Sequence, residues 1–407
     1  MTNKKSVVLY LHVHQPYRLR HYTVFDTSNR HDYFNNQIDT NQSRSSNRLI
    51  FDKVSKKSYL PTNYLLKELL DNNPKFRLSL SMTGVVIEQM KAWSSEVLNS
   101  FLDLVSTNRV EILAETYHHS LAFFYSKKEF EAQVQMHKNL IKDIFGLEPR
   151  VFRSTELTYN NDLGYWADQA GYRGIITEGW DPILGWRSPN HLYQPAYSKN
   201  IKLLLKNYRL SDDLAFRFGD RNWNEWPLTV DKYCHWLSSD PESSIFNLFM
   251  DYETFGEHQW QESGIFDFLK HFPDEWLKDD SHDFMTVSEA IDNYDALDRI
   301  DVPNTITWAD AERDLSAWVG NSMQSSAIRA IYDLEESIIA SNDLALIDDW
   351  RKLQTSDHFY YMSTKYFNDG DIHSYFSPYS NPYEAFMNYM NVYQDLRYRL
   401  VDKGYKV

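Results

Sequence analysis

Cysteine, basic charge and long apolar runs are all scarce in this sequence, and each scarcity excludes a class of protein. Cys234 is the only cysteine among 407 residues, so no intrachain disulfide can form, which fits a reducing compartment. Asp and Glu outnumber Lys and Arg by 57 to 42, and the net charge of −15 repels phosphate backbones, so we expect no nucleic-acid partner. No apolar stretch is long enough to span a bilayer, and the run after Lys5 is too short for a secretory signal. We therefore expect a cytoplasmic protein that does not associate with membranes.

A Gly-rich phosphate loop, an internal repeat and a low-complexity tract are also absent. Short apolar runs instead alternate with helical patterns, which indicates a parallel sheet built from βαβ units. The runs predict strands at about 6–12, 76–82, 110–115, 151–156, 173–178, 201–205, 245–251 and 284–287. Helical patterns fall near 61–72, 84–107, 127–145, 161–171, 209–218, 228–238 and 264–271, while 26–58 and 180–200 have the composition of loops. Seven or so strands favour a closed or nearly closed barrel.

The chain changes character after about residue 300. Residues 323–355 and 383–402 carry apolar positions at helical spacing, and no Pro- or Gly-rich linker separates them from the preceding part. We therefore predict a barrel domain over 1–300 and a helical domain over 301–407 that packs on the barrel and contributes to the site.

Five of the apolar runs stop at ionisable side chains. Such side chains are expensive to bury unpaired, and β/α barrels assemble active sites from them at the carboxyl ends of parallel strands. The pattern therefore indicates an enzyme. The residues at these run ends are His12 and His14, Glu115, Glu156, Glu178, and Asp251 with Glu253.

Two of these acids suit acid–base or nucleophilic chemistry. Arg153 lies close enough in sequence to hold Glu156 ionised, as a nucleophile requires, although Glu156 could equally cap or pair with the next helix. Asp251 stands in an apolar and acidic neighbourhood that is expected to raise its pKa, as a general acid requires, with a solvated acidic loop as the alternative.

Strand periodicity places several other side chains near the same end. His12 and His14 should face one space, where they could bind substrate hydroxyls, ligate a metal or form a structural pair. Glu111 and Glu115 also share a face, with Glu115 near the mouth. The late cluster around Asp357 and His358 could reach back over the barrel.

At these residues the sequence resembles glycoside hydrolase family 57, and within it the α-amylase-like group. That family is recognised by five motifs in fixed order, which span positions 12 to 358 here. The matching segments are His12-Val13-His14-Gln15-Pro16, Val110-Glu111-Ile112, Arg153-Ser154-Thr155-Glu156, Asp251-Tyr252-Glu253-Thr254-Phe255-Gly256 and Ser356-Asp357-His358.

The resemblance implies an incomplete TIM-like (β/α)7 barrel followed by a C-terminal helical region, and action on α-glucans with retained anomeric configuration. It implies no metal and no cofactor, a nucleophile at Glu156 and a general acid/base at Asp251. His12, His14, Glu111 and Asp357 match motif positions that line the substrate site. Asn108 replaces the Gly that usually opens the second motif, but Asn tolerates positive φ, so we expect the turn to survive.

Three tryptophans are predicted as sugar platforms independently of any motif, since aromatic residues make up 15% of the chain. They are Trp180, Trp223 and Trp226, and packing in a large core is the alternative reading of such rings.

The predicted function is retaining hydrolysis of α-1,4-glucans, with an α-glucan or maltooligosaccharide as the partner. The sequence leaves open a 4-α-glucanotransferase or branching enzyme, which would differ in the acceptor. A metal-dependent polysaccharide deacetylase would use His12 and His14 as ligands, and a non-catalytic glucan-binding protein would bind without turnover.

Overall fold

The computed structural model describes residues 4–365 and 375–406. Its strands are β1 (Lys5–Val13), β2 (Leu78–Met82), β3 (Val110–Ile112), β4 (Val151–Arg153), β5 (Gly174–Glu178), β6 (Leu192–Pro195), β7 (Lys202–Lys206), β8 (Ile245–Asp251), β9 (His282–Phe284) and β10 (Ala296–Ile300).

Helices follow most strands and then fill the C-terminal part. They are α1 (Asn47–Val54), α2 (Leu60–Asn72), α3 (Gly84–Trp93), α4 (Ser95–Val105), α5 (Lys127–Phe145), α6 (Asn161–Gln169), α7 (Asp181–Leu184), α8 (Tyr208–Asp212), α9 (Val230–Ser239), α10 (Ile265–Trp276), α11 (Val287–Asn293), α12 (Ser316–Val319), α13 (Ser322–Asp333), α14 (Glu335–Ser341), α15 (Leu344–Lys352), α16 (Ser356–Tyr360) and α17 (Pro382–Asp402). None of the helices in the described ranges is long and apolar enough to cross a membrane.

Seven parallel strands form an incomplete barrel in the order β3, β2, β1, β8 and, in the second sheet, β7, β5, β4. A parallel bridge from Ala114 to Phe152 joins β3 to β4. On the other side the link is sparse, because Asn247 alone bridges β7 to β8 through its backbone oxygen and its side-chain amide. The antiparallel β6 and then β10 continue the second sheet outward from β7.

Alternation along the strands decides which side chains enter the barrel. The interior core contains Val8 and Tyr10 from β1 and Ile245 and Phe249 from β8, while Val7, Leu9 and Leu11 pack outward against helices. Because strand side chains alternate, the next inward positions on these strands are His12 and Asp251. Helix α11 closes the opposite end of the barrel with Val287, Ala290 and Ile291.

The C-terminal helices share a core with one side of the barrel. A single apolar cluster joins Phe152, Ile175 and Leu203 of the barrel strands to Trp350 of α15 and Leu396 of α17. Helix α17 also holds the long segment after β1, since the buried Asp395 carboxylate accepts hydrogen bonds from the backbone amide of Ser28 at 2.6 Å and from the Tyr33 hydroxyl.

The predicted barrel and helical region are confirmed, with differences at particular elements. Strands β6 and β10 lie where we predicted a loop or no element, and α1 interrupts the segment predicted as loop over 26–58. The tail pattern over 323–355 divides into α13, α14 and α15. Asn108 has φ +57°, so the turn before β3 does survive the replacement of Gly.

Candidate active site

A cavity of about 470 Å³ opens at the carboxyl ends of the barrel strands. Five strand ends contribute ionisable side chains to this cavity or directly beneath it. They are His12 and His14 after β1, Glu115 after β3, Glu156 after β4, Lys206 on β7 and Asp251 on β8. Side chains of the C-terminal part complete the wall, among them Trp308, Arg313, Asp357 and Tyr361.

Three imidazoles stack across the floor of the cavity. The His119 ring centroid lies 4.1 Å from that of His14 and 5.0 Å from that of His12, and the His12 and His14 rings are nearly parallel at 14°. The expectation that His12 and His14 face one space is therefore confirmed. Because buried imidazoles need partners, this floor is held by the carboxylates around it.

Glu156 lies beside His119, the imidazole that packs against both other rings, and both its carboxylate oxygens accept hydrogen bonds. Oε1 accepts from His119 Nε2 at 2.9 Å and from Ser356 Oγ at 3.2 Å, and Oε2 accepts from Trp308 Nε1 at 2.8 Å. Burial favours the neutral acid, but the hydrogen bond and positive charge of His119, followed by the charge of Arg153, outweigh it and lower the pKa of Glu156. Glu156 is therefore ionised at neutral pH.

The charge on His119 comes from two acids. Burial alone would lower the pKa of His119, but hydrogen bonding to Glu115 and Glu156 raises it to about 9. Glu115 is itself fully buried, and His12 Nε2 donates to its Oε2 at 3.2 Å while Arg153 Nη1 lies 3.6 Å away. Glu115 is thus the counter-ion beneath the stack and does not line the cavity.

Glu156 also has an unusual backbone. Its φ is +58° and that of Leu157 is +49°, a left-handed conformation that costs a residue with a Cβ roughly 1–2 kcal/mol. Trp308 supports this conformation, since its backbone amide donates to the Glu156 carbonyl oxygen at 3.2 Å. Strained backbone of this kind concentrates at functional sites, where it fixes the direction of a side chain.

Asp251 lies beside His12, with 37% of its side chain exposed to the cavity. Its Oδ1 lies 3.7 Å from His12 Nδ1. Burial raises the pKa of Asp251, but the adjacent imidazoles of His12 and His258 outweigh burial, and the net pKa lies below its ordinary value. The predicted rise in the pKa of Asp251 is therefore wrong, because imidazoles surround this carboxylate on the cavity side.

The raised pKa belongs to Glu253, which also lines the cavity. Glu253 is buried, and burial, followed by the negative charge of Asp251, raises its pKa from an ordinary 4.5 to about 8. Its Oε1 accepts from the Tyr59 hydroxyl at 2.5 Å and from Gln15 Nε2 at 3.5 Å. In the described residues no Lys, Arg or His lies within ion-pair distance of this carboxyl group, so near neutral pH Glu253 is a neutral acid.

Asp357 brings the start of α16 to the barrel mouth. Its Oδ2 accepts from His14 Nε2 at 3.0 Å, and His14 Nδ1 in turn accepts from Thr83 Oγ1 at 2.9 Å. Burial and the adjacent His119 charge lower the pKa of His14 to about 4, so His14 is a neutral donor to Asp357. We predicted that the cluster around Asp357 and His358 reaches back over the barrel, and in the structure Asp357 does so.

A second charged group, missed in the sequence analysis, forms the wall below Trp308. Lys206 Nζ lies 3.0 Å from Asp212 Oδ1, Arg313 Nη1 lies 3.6 Å from Glu178 Oε2, and the Arg313 guanidinium donates to the Trp308 carbonyl oxygen. The indole ring also lies 5.5 Å from Lys206 Nζ. Lys206 ends an apolar run just as the acidic and imidazole residues at the five other run ends do, so the same signal identifies it.

Besides Glu115, five predicted site residues lie off the cavity wall, and their contacts explain why. Glu111 does face the barrel interior, as its shared face with Glu115 requires, but at the opposite end, where it accepts from Ser288 N at 3.0 Å. His358 is buried between the rings of Tyr361 and Tyr389.

The three predicted sugar platforms are also absent from the cavity wall. Trp180 packs against the shared core of the barrel and the tail. Trp223 contacts Trp236, with ring centroids 6.2 Å apart, and Trp226 lies beside Arg221 on the surface. The local sequence does not distinguish these three tryptophans from Trp308. Tertiary contacts decide whether each ring lies in the core, on the surface or in the cavity.

Among the described residues, two sets of side chains have enough ligand atoms close together to hold a metal ion. They are His12, Glu115 and His119, and His14, His119 and Asp357. In the first set the guanidinium of Arg153 already lies 3.3 Å from His12 Nδ1 and 3.6 Å from Glu115 Oε2. Both sets include His119, which is cationic near neutral pH, so protonation and the Arg153 charge both oppose a metal ion.

Comparison with known proteins identifies the family of this chain. The family model described as "Glycosyl hydrolase family 57" matches residues 8–303. A Methanocaldococcus jannaschii protein named "Putative alpha-amylase" is 43% identical over 397 residues, which cover 95% of this chain and 83% of that protein.

Solved structures show the same fold at low sequence identity. A branching enzyme of this family from Thermococcus kodakaraensis, crystallised in complex with glucose and additives, aligns with a TM-score of 0.71 and 14% identity over 99% of this chain and 92% of that one. A 4-alpha-glucanotransferase from Thermococcus litoralis aligns with a TM-score of 0.65 and 14% identity over 88% of this chain, which spans 56% of that protein's length. The chain therefore belongs to glycosyl hydrolase family 57 and is a glycoside hydrolase.

Proposed function

We propose that this enzyme cleaves α-1,4-glucans with retention of anomeric configuration, using Glu156 as the nucleophile and Asp251 as the general acid/base. The observation that carries the proposal is the pair of carboxylates on one cavity, with Asp251 beside His12 and with Glu156 held ionised by the His119 cation. Relatives named as amylase, glucanotransferase and branching enzyme support an α-glucan as substrate.

In the first step a carboxylate oxygen of Glu156 attacks the anomeric carbon, and the bond from that carbon to the glycosidic oxygen breaks. Asp251 gives its proton to the departing oxygen, and a glycosyl ester on Glu156 remains. In the second step Asp251 takes a proton from water, the water oxygen attacks the anomeric carbon, and Glu156 leaves as a carboxylate.

Asp251 must hold a proton at the first step, although its pKa lies below the ordinary value of an aspartic acid. A bound sugar would cover the exposed part of the Asp251 side chain and remove water from it, which favours the neutral form. The neutral Glu253 adds no negative charge below pH 8, but above that pH its ionisation would repel an ionised Asp251. The carboxyl groups of Asp251 and Glu253 thus titrate as a coupled pair.

Incubation with maltoheptaose, with and without EDTA, tests this function. We expect shorter maltooligosaccharides in both conditions, with the α-anomer formed first in a ¹H NMR time course, because double displacement retains configuration. Glu156→Gln should lose activity by at least about a thousandfold while remaining folded, since the nucleophile is gone. Glu148→Gln, the same substitution at an exposed position on the surface, is the control and should be as active as the parent.

Three results would contradict the proposal. First formation of the β-anomer would exclude a covalent glycosyl ester on Glu156. Near-normal turnover by Glu156→Gln would exclude Glu156 as the nucleophile. Activity that EDTA abolishes and a divalent cation restores would favour a metal bound by the imidazole floor.

A further inference from the structure

The position of Asp251 determines which wall of the cavity receives the acceptor. A general acid/base must contact the glycosidic oxygen, and that oxygen belongs first to the leaving sugar and later to the incoming acceptor. Both molecules must therefore lie beside Asp251 and away from Glu156. This step rests on the proposed function, because it takes Asp251 as the acid/base.

The wall beside Asp251 carries two exposed phenylalanines. Phe216 and Phe376 both line the cavity, and 57% and 40% of their surfaces respectively are exposed. A solvent-exposed apolar ring at the mouth of a polar cavity is unusual on a protein surface and marks a ligand-binding site. On the Glu156 side the cavity wall offers hydrogen-bonding groups, among them His119, Trp308 and Asp357.

Contacts with the loop after β8 fix both rings on the Asp251 side. Phe216 belongs to the π-helical turn Asp213–Arg217, and the carbonyl oxygen of its neighbour Ala215 accepts from Gln259 Nε2 at 2.9 Å. Phe376 packs its ring edge-to-face on His258 at 5.7 Å. His258 is in turn tied to the turn that follows Asp251, since its amide donates to the Glu253 carbonyl oxygen at 2.9 Å.

We propose that Phe216 and Phe376 form an acceptor subsite that binds a glucosyl residue, so that a maltooligosaccharide competes with water for the glycosyl ester on Glu156. The face of a sugar that carries C–H groups packs favourably on an aromatic ring, whereas a water molecule makes no such apolar contact. In transfer, Asp251 removes the proton of the acceptor hydroxyl, that oxygen bonds to the anomeric carbon, and the bond to Glu156 breaks. The products then include glucans longer than the donor.

The test uses α-maltotriosyl fluoride as donor and maltose as acceptor. Fluoride release measures formation of the glycosyl ester, and product sizing measures how that ester divides between water and maltose. We expect the wild-type protein to form products longer than maltotriose, in a proportion that rises with maltose concentration. In the double variant Phe216→Ala/Phe376→Ala the ratio of transfer to hydrolysis should fall by about tenfold, since the stacking surface is lost.

Phe25→Ala is the matched control, because Phe25 is 87% exposed and is not part of the cavity wall. Its transfer ratio should equal that of the parent. If the double variant releases fluoride and keeps the parent ratio, or if wild-type protein transfers nothing to saturating maltose, the acceptor subsite is overturned while the proposed chemistry stands. If wild-type protein releases no fluoride, the proposed function fails, and the acceptor subsite fails with it.

Discussion

At the scale of single residues, the site separates two carboxyl groups by the charges around them. Glu156 accepts hydrogen bonds from three donors, one of which is the His119 cation, so it stays ionised. Glu253 is more deeply buried but has an acid as its charged neighbour and only a hydroxyl and an amide as donors, so it stays protonated. Burial acts in the same direction on both side chains, and their partners decide which is charged.

The raised pKa of Glu253 predicts a stability that depends on pH. Between an ordinary pKa of 4.5 and about 8 the folded protein keeps a proton that the unfolded chain has released, so stability falls as pH rises through this window and is level above it. Glu253→Gln replaces the neutral acid with a neutral amide that can still accept from Tyr59. Its free energy of unfolding relative to wild type should therefore increase between pH 5 and pH 8.5, by about 4 kcal/mol.

Urea denaturation at both pH values measures this difference. Glu262→Gln, an exposed substitution in the same loop region, is the control and should show no change in relative stability with pH. A parallel pH dependence for wild type and Glu253→Gln would show that Glu253 is ionised in the folded protein at neutral pH.

At the scale of elements, strand periodicity carried most of what the sequence could predict. Apolar runs located all seven barrel strands, and the ionisable residues at five run ends identified the end of the barrel where the cavity opens. Strand β6 was missed because Leu-Tyr-Gln-Pro has no alternation and ends in proline, and β10 because Asp298 and Arg299 interrupt its apolar residues. Pairing with β7 and β6 makes these segments strands, and pairing is not encoded in local pattern.

The side chains that sequence could not place depend on contacts distant in the chain. Trp308 reaches Glu156 across 152 positions, and Ser356 reaches it across 200. Conversely, Glu111 lies in a motif and on the predicted face, but the strand rises about 3.3 Å per residue, so it lies well below the mouth. Periodicity gives the face of a strand, while depth along the barrel requires knowing where the strand starts.

Helix α17 holds the segment after β1 through one buried carboxylate. Asp395 accepts from Ser28 N at 2.6 Å, from His31 Nδ1 at 2.7 Å and from the Tyr33 hydroxyl. Asp395→Asn replaces one carboxylate oxygen with an amide NH₂ group, which cannot accept a hydrogen bond from the donor that points at it. We therefore expect the free energy of unfolding to fall by about 2 kcal/mol. We also expect faster proteolysis within residues 19–45. Asp402→Asn, on the exposed end of the same helix, is the control.

Denaturation curves and limited trypsin digestion measure the two effects. The protease assay separates local release from general loss of stability, because cleavage should concentrate between Arg18 and Arg48 and leave α17 intact. Equal cleavage throughout the chain, or no change in either assay, would contradict a local role for Asp395.

At the scale of the whole molecule, the predicted domains over 1–300 and 301–407 share one core. The apolar cluster that contains Ile175 of β5 and Leu203 of β7 continues into Ile331 of α13 and Leu396 of α17. The tail also supplies Trp308, Ser356 and Asp357 to the cavity. A shared core means that neither part can lose its packing without exposing apolar surface of the other.

We therefore predict that the protein unfolds in one cooperative transition, with equal calorimetric and van't Hoff enthalpies. Leu396→Ala removes a fully buried side chain of α17, and the cavity left behind should cost roughly 2–5 kcal/mol. Because the core is shared, this substitution should shift the whole transition to lower temperature, followed both by calorimetry and by loss of maltoheptaose cleavage. Leu344→Ala, at a position 82% exposed in α15, should leave the transition unchanged. A second transition that appears at lower temperature in Leu396→Ala, while most of the enthalpy stays at the wild-type temperature, would show that the tail unfolds independently of the barrel.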